Sequence, residues 1–368
     1  MKLKRIIIAG GGTGGHIFPA IAVAKALQRI NPAIEILFIG AKGKMEMEKV
    51  PQAGFNIEGL DITGFNRSKI WNNWSLPFKL IRSFIQVKNI FNTFSPDAVF
   101  GVGGYSSFPV LKYAQRKGIP SFLHESNSIA GKSNIMLGKK ADLVMVAQAE
   151  LNKYFSHEKI FISGNPIRSE IAHSTVLREE AIEFFGLKKD KLTILVVGGS
   201  LGAKSINTAF AKGIDKILNA NLQLIWQTGK GSLGIIEESL RSKKEVFISE
   251  FIHKMNYAYV AADVVVSRAG AIALAEICAM KKPSVLVPFP FAAEDHQTGN
   301  ALTLVKSHAA LMISDKEVEE KLVDTALELI HDKSKCEVFS KAAGSLFIED
   351  ADMLIANKII EKLDVKND

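Results

Sequence analysis

The chain has 368 residues, 47% of them hydrophobic, with a formal net charge of +8. That length is enough for two α/β domains. The only two cysteines, Cys278 and Cys336, argue against a disulfide scaffold and read as buried thiols. No apolar run approaches the ~20 residues that a membrane span needs.

The N-terminus, MKLKRIII, runs straight into glycines, so it lacks the core of a signal peptide. A cytosolic protein, or one bound to a membrane from the cytosolic side, is expected. The positive charge leaves nucleic acid, an anionic membrane surface and anionic substrates open, beside the plain reading of a generally basic surface.

Short β-rich runs alternate with helical patterns along the chain. Candidate strands are Arg5–Ala9, Glu35–Ile39, Ala98–Gly101, Ser121–His124, Leu143–Val146 and Lys159–Ile162. A second series comprises Leu192–Val197, Gln223–Trp226, Val246–Ser249, Val264–Ser267, Ser284–Val287 and Leu311–Ile313. Apolar strands alternating with helices imply parallel sheets covered on both faces. Each series opens on a strand that runs into a glycine loop, IIIAGGGTGG in one and ILVVGGSLGA in the other. The Asn-Pro turn in GNPIRSE, residues 164–170, fits a boundary. Two Rossmann-like, doubly wound domains facing across a cleft are expected, residues 1–165 and 166–340, with a helical segment at 341–368 packing back on the first.

A glycine turn between strand and helix lets phosphate approach the backbone, and the helix N-terminus adds free N–H groups and partial positive charge. Gly10, Gly12 and Gly15 satisfy the dinucleotide pattern, which is a weak signal by itself. An NAD site also wants an acid at the end of the second strand. That strand ends Ile39-Gly40-Ala41-Lys42, so the acid is missing, although Lys42 leaves NADP open. Further loops follow at 101 (GVGGYSS), 198 (GGSLGAKS) and 267 (SRAGAIALAE), each at a strand's C-terminal end. Together they suggest a cleft lined with backbone donors, or, for the 101 loop, close packing alone. Gly270 opens a helix and Glu276 lies about two turns in, placed to accept hydrogen bonds from a ribose diol.

From Ile62 to Pro96 there is no acidic residue, while Arg67, Lys69, Lys79, Arg82 and Lys88 are interleaved with Trp71, Trp74, Phe78, Phe84, Phe91 and Phe94. The run LPFKLIRSFIQVKNIFNTF reads as an amphipathic helix, suited to an anionic lipid surface or, more plainly, to covering the domain core. No nucleic-acid module is recognised.

Taken together, GGTGGHIFPAIAVA, GVGGYSSFPV, HESNSIAGKSN, GNPIR, GGSLGAKSIN and SRAGAIALAE…PFPFAAEDHQTGNA resemble the MurG family. These are the UDP-N-acetylglucosamine:undecaprenyl-diphospho-muramoylpentapeptide N-acetylglucosaminyltransferases. The motifs run in family order from residue 10 to residue 301. The resemblance implies a GT-B fold, with acceptor in the N-terminal and donor in the C-terminal domain. It implies inverting transfer from UDP-GlcNAc to the muramoyl 4-hydroxyl of a lipid diphosphate, lipid I, at the cytoplasmic face of the cell membrane. Cell-wall or division proteins are implied as partners.

Position by position, the resemblance implies that Gly12, Thr13 and Gly14 approach a diphosphate and that Asn127 meets the donor sugar. Arg168 and Ser200 meet the donor diphosphate, and Ile252 frames uracil through its backbone. Ala271, Ile272, Ala273, Leu274, Ala275 and Glu276 form the helix end over phosphate and ribose, and Gln297 and Asn300 read the sugar. The first loop departs from some relatives by a third glycine, and position 126 is Ser.

Inverting transfer needs a base for the acceptor proton. His16 is the candidate, since a helix N-terminus disfavours the imidazolium and keeps the ring able to accept a proton; capping the loop is its plainer role. His124, in LHES, is a second candidate that reads better as a hydrogen-bonding residue of the wall. Helix ends and Arg168 can stabilise the leaving group, so neither metal nor cofactor is expected. The Asp350-Ala351-Asp352 pair reads as a solvated face, and Glu294-Asp295-His296 lacks zinc spacing. An NAD(P) oxidoreductase, a nucleotide-sugar epimerase and a catalytically inert UDP-sugar-binding scaffold are the alternatives.

Overall fold

Ile6, Ile7 and Ile8 are consecutive and all fully buried. Successive side chains of a strand point to opposite faces, so this strand must be covered on both sides, as in a parallel α/β sheet. The computed structural model, which describes residues 3–64, 71, 74, 76–199, 201–236 and 238–365, has that arrangement. Ile6 and Ile8 join one apolar layer and Ile7 the other.

The chain divides into two units, Met1–Arg168 with Asp350–Asp368, and Ser169–Glu349. The first holds β1 (Arg5–Ala9), β2 (Glu35–Ala41), β3 (Asn56–Leu60), β4 (Ala98–Gly101), β5 (Ser121–Glu125), β6 (Leu143–Val146) and β7 (Ile160–Ile162). They form a seven-stranded sheet in the order β3-β2-β1-β4-β5-β6-β7. Every pairing is parallel, with Ile7 opposite Leu37 on one side and Val99 on the other. One layer is built by helix Gly14–Ile30 and by the returning helix Ala351–Val365, whose Ile355, Ala356, Ile359 and Leu363 pack with Ile17 and Leu27. Burying each of those isoleucines contributes roughly 1.5–3 kcal/mol. Helices Leu76–Phe94 and Ser107–Arg116 supply Val87, Phe91, Val110 and Leu111 to the other layer.

The second unit holds β8 (Thr193–Val197), β9 (Gln223–Gln227), β10 (Val246–Ser249), β11 (Val264–Ser267), β12 (Ser284–Leu286) and β13 (Ala310–Met312). Their order is β10-β9-β8-β11-β12-β13, again parallel throughout. Helices Lys204–Asn219 and Val318–His331 cover Ile194, Val196, Val264 and Val266.

Both sheets are doubly wound, and in each the strand order reverses beside the first strand of the unit. The reversals lie between β1 and β4 and between β8 and β11. Ligands of such sheets bind outside the carboxyl ends of the strands at this switch point. The four glycine loops of the sequence are the loops that leave these four strands.

The strand absent from the sequence reading is β3, Asn-Ile-Glu-Gly-Leu. It lies at the sheet edge with only β2 as partner and alternates exposed and half-buried residues before Leu60, so no apolar run marks it. Cys278 is buried, as read, whereas Cys336 is only half-buried and donates its thiol to the Leu329 carbonyl. Among the described residues no helix is long and apolar enough to cross a membrane.

Candidate active site at the two switch points

In the first unit, β1 ends at Ala9 and the chain turns through Gly10–Thr13 into helix Gly14–Ile30. No side chain caps this helix, and while His16 N–H is donated to the Thr13 carbonyl, the Gly14 and Gly15 amides lie at the positive end of its dipole. The loop after β4 packs on the first loop backbone to backbone. A Cβ on Gly104 would come 2.4 Å from the Gly11 oxygen, and one on Gly103 (φ +92°) would come 3.1 Å from His16 Nε2. Glycine at 103 and 104 therefore serves this close approach, the packing role that the sequence left open for the 101 loop.

His16 is half-buried. Its Nδ1 lies 3.1 Å from the Gly11 carbonyl oxygen and 3.3 Å from Thr13 Oγ1. A carbonyl only accepts, so Nδ1 carries the proton in this contact, and Nε2 is the acceptor nitrogen of the neutral ring. Beneath the loop lies Glu46, fully buried. Its Oε2 accepts from Gly12 N–H at 3.0 Å and its Oε1 from Ala41 N–H at 3.0 Å. The Gly12 amide thus meets the chain's own carboxylate, and a phosphate at this loop would be met by the helix's first turn instead. Tyr105 packs beside Gly12; burial raises its hydroxyl pKa, and the Glu46 charge raises it further.

Behind this loop, buried His124 donates Nε2–H to the Gly164 carbonyl at 3.1 Å. Burial pushes its pKa down to about 4; the Gly164 bond opposes that and the charge of nearby His16 adds to it. The ring is neutral at physiological pH and bonded into the wall. Glu125 organises the loop that follows: Oε1 accepts from the backbone and side-chain amides of Asn127, and Oε2 from Gly131 N–H and Asn134 Nδ2. The buried Asn134 Oδ1 has no hydrogen-bond partner, and its amide lies 3.7 Å from where a Gly103 Cβ would be. It offers an acceptor beside His16. Arg168 is half-buried at the end of this unit.

In the second unit, the β11 loop leads through Gly270 into helix Ala271–Ala279, again without a side-chain cap. Ala271, Ile272, Ala273 and Ala275 are half-buried and Leu274 is buried. Glu276 is 6% exposed, and Tyr259 donates its hydroxyl to Oε2 at 3.2 Å. Arg268 ties the loops together, donating to the Val287 and Pro288 carbonyls, to Asp315 at 2.6 Å and to Ser205. Asn300 is buried and its Nδ2 donates to the Ala269 carbonyl, so it also braces this loop. Gln297 Oε1 accepts from Phe289 N–H. Glu294 and Asp295 just before it have φ of 48° and 54°, a left-handed pair that is rare outside glycine. Gln227 bridges the loop after β8 to Ile252, donating to Gly199 O and accepting from Ile252 N–H at 2.9 Å. A uracil at this segment would meet the Ile252 carbonyl or displace Gln227. Ser200 lies outside the described residues.

Residues the sequence reading passed over are Glu46, Glu125, Asn134 and Gln227. Glu125 and Asn134 stand inside a quoted motif, HESNSIAGKSN, whereas Glu46 carries no local signal at all. Asp352, of the Asp-Ala-Asp pair, is bonded to Arg29. Among the described residues, no three His, Cys, Asp or Glu side chains are grouped to hold a metal ion.

Comparison with known proteins adds to this geometry. The glycosyltransferase family 28 N-terminal domain matches residues 6–146 and the family 28 C-terminal domain residues 193–355. The UDP-N-acetylglucosamine--N-acetylmuramyl-(pentapeptide) pyrophosphoryl-undecaprenol N-acetylglucosamine transferase of Parabacteroides distasonis is 45% identical over 368 residues, 100% of each chain. The enzyme of that name from Cytophaga hutchinsonii is 44% identical, covering 98% of this chain and 97% of its own. Among solved structures, Acinetobacter baumannii MurG superposes with a TM-score of 0.75 at 26% identity, covering 98% of this chain and 99% of that one. A UDP-N-acetylglucosamine 2-epimerase gives 0.68 at 12% identity, covering 100% of this chain and 98% of that one, a likeness of fold alone.

Proposed function

The chain belongs to the MurG family of glycosyltransferases, and on that premise we propose that it moves N-acetylglucosamine from UDP-GlcNAc to the 4-hydroxyl of the muramoyl unit of undecaprenyl-diphospho-muramoylpentapeptide, converting lipid I to lipid II. The observation that carries this reading is the end-to-end identity of 45% with an enzyme of that name, spanning both glycine-loop units.

In this reading the acceptor hydroxyl gives its proton to His16 Nε2 as its oxygen attacks the anomeric carbon from the face opposite UDP. The α-linked donor then yields a β-linked product. The orientation of the ring supports this role, because Nδ1–H is held by the Gly11 carbonyl. Charge developing on the departing UDP falls to Arg168, Ser200 and the uncapped helix end at Ala271–Ala273. Fixed dipoles aimed at developing charge are the largest common source of rate enhancement. Glu276 takes the ribose hydroxyls, Ile252 the uracil, and Asn127, Gln297 and Asn300 the sugar. The first-turn amides beyond Gly12, with Thr13 and Gly14, receive a diphosphate.

The acceptor's lipid tail requires a membrane surface. On helix Leu76–Phe94, Phe78 (68% exposed), Ile81 and Ile85 are exposed beside Lys79 and Arg82, and Trp71 and Trp74 precede them, also exposed. We assign this face to an anionic bilayer, to which the protein binds peripherally. Arg67 and Lys69 of the same stretch lie outside the described residues. Arg82 is paired with Asp61, so part of the positive charge is already answered. Cosedimentation with phosphatidylglycerol vesicles, lost in a Phe78→Ser/Ile81→Ser double variant, checks this assignment; binding unchanged in that variant would remove it.

The reaction is tested by UDP release from UDP-GlcNAc in the presence of EDTA, with and without a short-chain lipid I analogue. Release that depends on the acceptor is expected. Release independent of the acceptor, or conversion to an epimer, would favour the epimerase alternative.

A further inference from the structure

We propose that Glu46 is a positioning residue for the transfer, acting on His16 through the Gly11–Gly12 peptide; this rests on His16 being the base. The two hydrogen bonds that define the loop fall on one peptide unit. Its N–H, that of Gly12, is donated to Glu46 Oε2 at 3.0 Å. Its C=O, that of Gly11, accepts from His16 Nδ1 at 3.1 Å. Carboxylate, peptide and imidazole are therefore linked in series. Hydrogen bonds in such a chain polarise one another, more so where water is excluded, and Glu46 is fully buried.

Two consequences follow for the ring. The carboxylate draws on the peptide N–H and makes the Gly11 oxygen a stronger acceptor, which favours the tautomer with the proton on Nδ1. Nε2 is then the nitrogen that takes the acceptor hydroxyl's proton. Once it has done so, the imidazolium's charge lies two hydrogen bonds from a fixed negative charge. An acid orienting a catalytic histidine by direct contact has this effect; here a peptide stands between them. No proton crosses the peptide. The acceptor proton moves to Nε2, the hydroxyl electron pair forms the new glycosidic bond, and the old C–O bond's pair leaves with UDP.

The packing leaves little freedom for any other arrangement. The carboxylate fills the space where a Cβ on Gly11 would lie, at 2.2 Å, and its Cγ the space of a Cβ on Gly40, at 2.5 Å. Its second oxygen is held by Ala41 N–H. Among the described residues, His124 of β5 is coupled by charge to His16, and Tyr105, from the loop after β4, packs beside Gly12 and is coupled to Glu46. Neither is bonded to the Gly11–Gly12 peptide.

The test pairs kinetics with ¹⁵N NMR of histidine-labelled full-length protein, the His16 signals being assigned with His16→Ala. In the wild type, His16 is expected in the Nδ1–H form. Glu46→Gln preserves shape but can accept only one of the two N–H bonds with its single oxygen. It is expected to lower kcat about tenfold to a hundredfold, leave KM for UDP-GlcNAc unchanged, and shift the His16 signals toward the Nε2–H form. Glu46→Asp is expected to fall between. An Nε2–H ring in the wild type would overturn the proposal even if no Glu46 variant folds. So would a Glu46→Gln protein that loses kcat with its His16 signals unmoved, because that loss would be loop distortion. If His16→Ala keeps full activity, the base reading fails, and the tautomer measurement still decides whether Glu46 controls the ring.

Discussion

The two switch points share a strand order and a glycine turn but handle negative charge in opposite ways. In the first unit a carboxylate, Glu46, sits beneath the loop and takes the Gly12 amide for itself. In the second, the acid stands two turns up the helix, where Tyr259 holds Glu276, and the helix's first turn carries no side-chain cap. One site has an anion built in and is organised around an imidazole. The other leaves the start of its helix without a side-chain cap, the end to which the proposal gives the donor's phosphate. The missing acid at the end of β2, which counted against a dinucleotide, is also explained. The carboxylate arrives a few residues later and turns inward, where it braces the loop instead of meeting a ribose.

This contrast makes the consequences of mutation unequal. The largest effect is expected from His16→Ala, with kcat for acceptor-dependent UDP release down by about 10²–10⁴, the usual range for a positioned base. UDP binding by calorimetry should be unchanged, since the second unit is untouched; a lost UDP affinity would break the division of labour. Next is a pH effect confined to the first unit. The folded pKa of His124, about 4, lies below its ordinary value of 6.5. Protonation therefore favours the unfolded chain. The stability this group contributes is full above pH 6.5 and declines as the pH falls toward 4. The whole shift is worth about 3 kcal/mol. Urea melts between pH 7 and 4.5 should show that loss, and a His124→Gln variant should lack that part of it.

Gly104→Ala forces a Cβ to within 2.4 Å of the Gly11 oxygen at φ +83°. It is expected to destabilise the protein by about 2 kcal/mol, given the strain of a non-glycine residue there, as thermal melting would read. An unchanged melting point would mean that the two loops are not in contact. In the second unit, Glu276→Gln should raise KM for UDP-GlcNAc about tenfold, about 1.4 kcal/mol, with kcat nearly constant, as the loss of uniform binding requires. A fall in kcat alone would move Glu276 out of the ribose site. Smallest is Tyr259→Phe, which removes one hydrogen bond of about 1 kcal/mol and should raise the same KM several-fold.

Parallel strands buried on both faces announce themselves as apolar runs, which is why β1, β8 and β11 are plain in the chain. The edge strand β3 is paired on one side only and buries no residue fully before Leu60, so its Asn-Ile-Glu-Gly pattern carries no such mark. The glycine loops were legible because a bare backbone leaves a compositional trace. Their partners were not. Glu46 is matched to Gly12 and Ala41 by backbone N–H groups, and every residue except proline has one, so nothing in the sequence singles out the pair. Asn300 stands in a motif that the sequence marks, yet its amide bond to the Ala269 carbonyl is again a contact with backbone, which no motif spells out.

The helix Ala351–Val365 completes the apolar layer of the first unit although the whole of the second unit precedes it in the chain. On the ribosome, synthesis runs from the N-terminus and domains generally fold as they emerge. The second unit can therefore settle as soon as it clears the exit tunnel. The first waits, its Ile17 and Leu27 face uncovered, until the last helix has been translated. The half of the protein that is made first is the half that is finished last, and a ribosome stalled before residue 351 would leave an open flank for chaperones to shield.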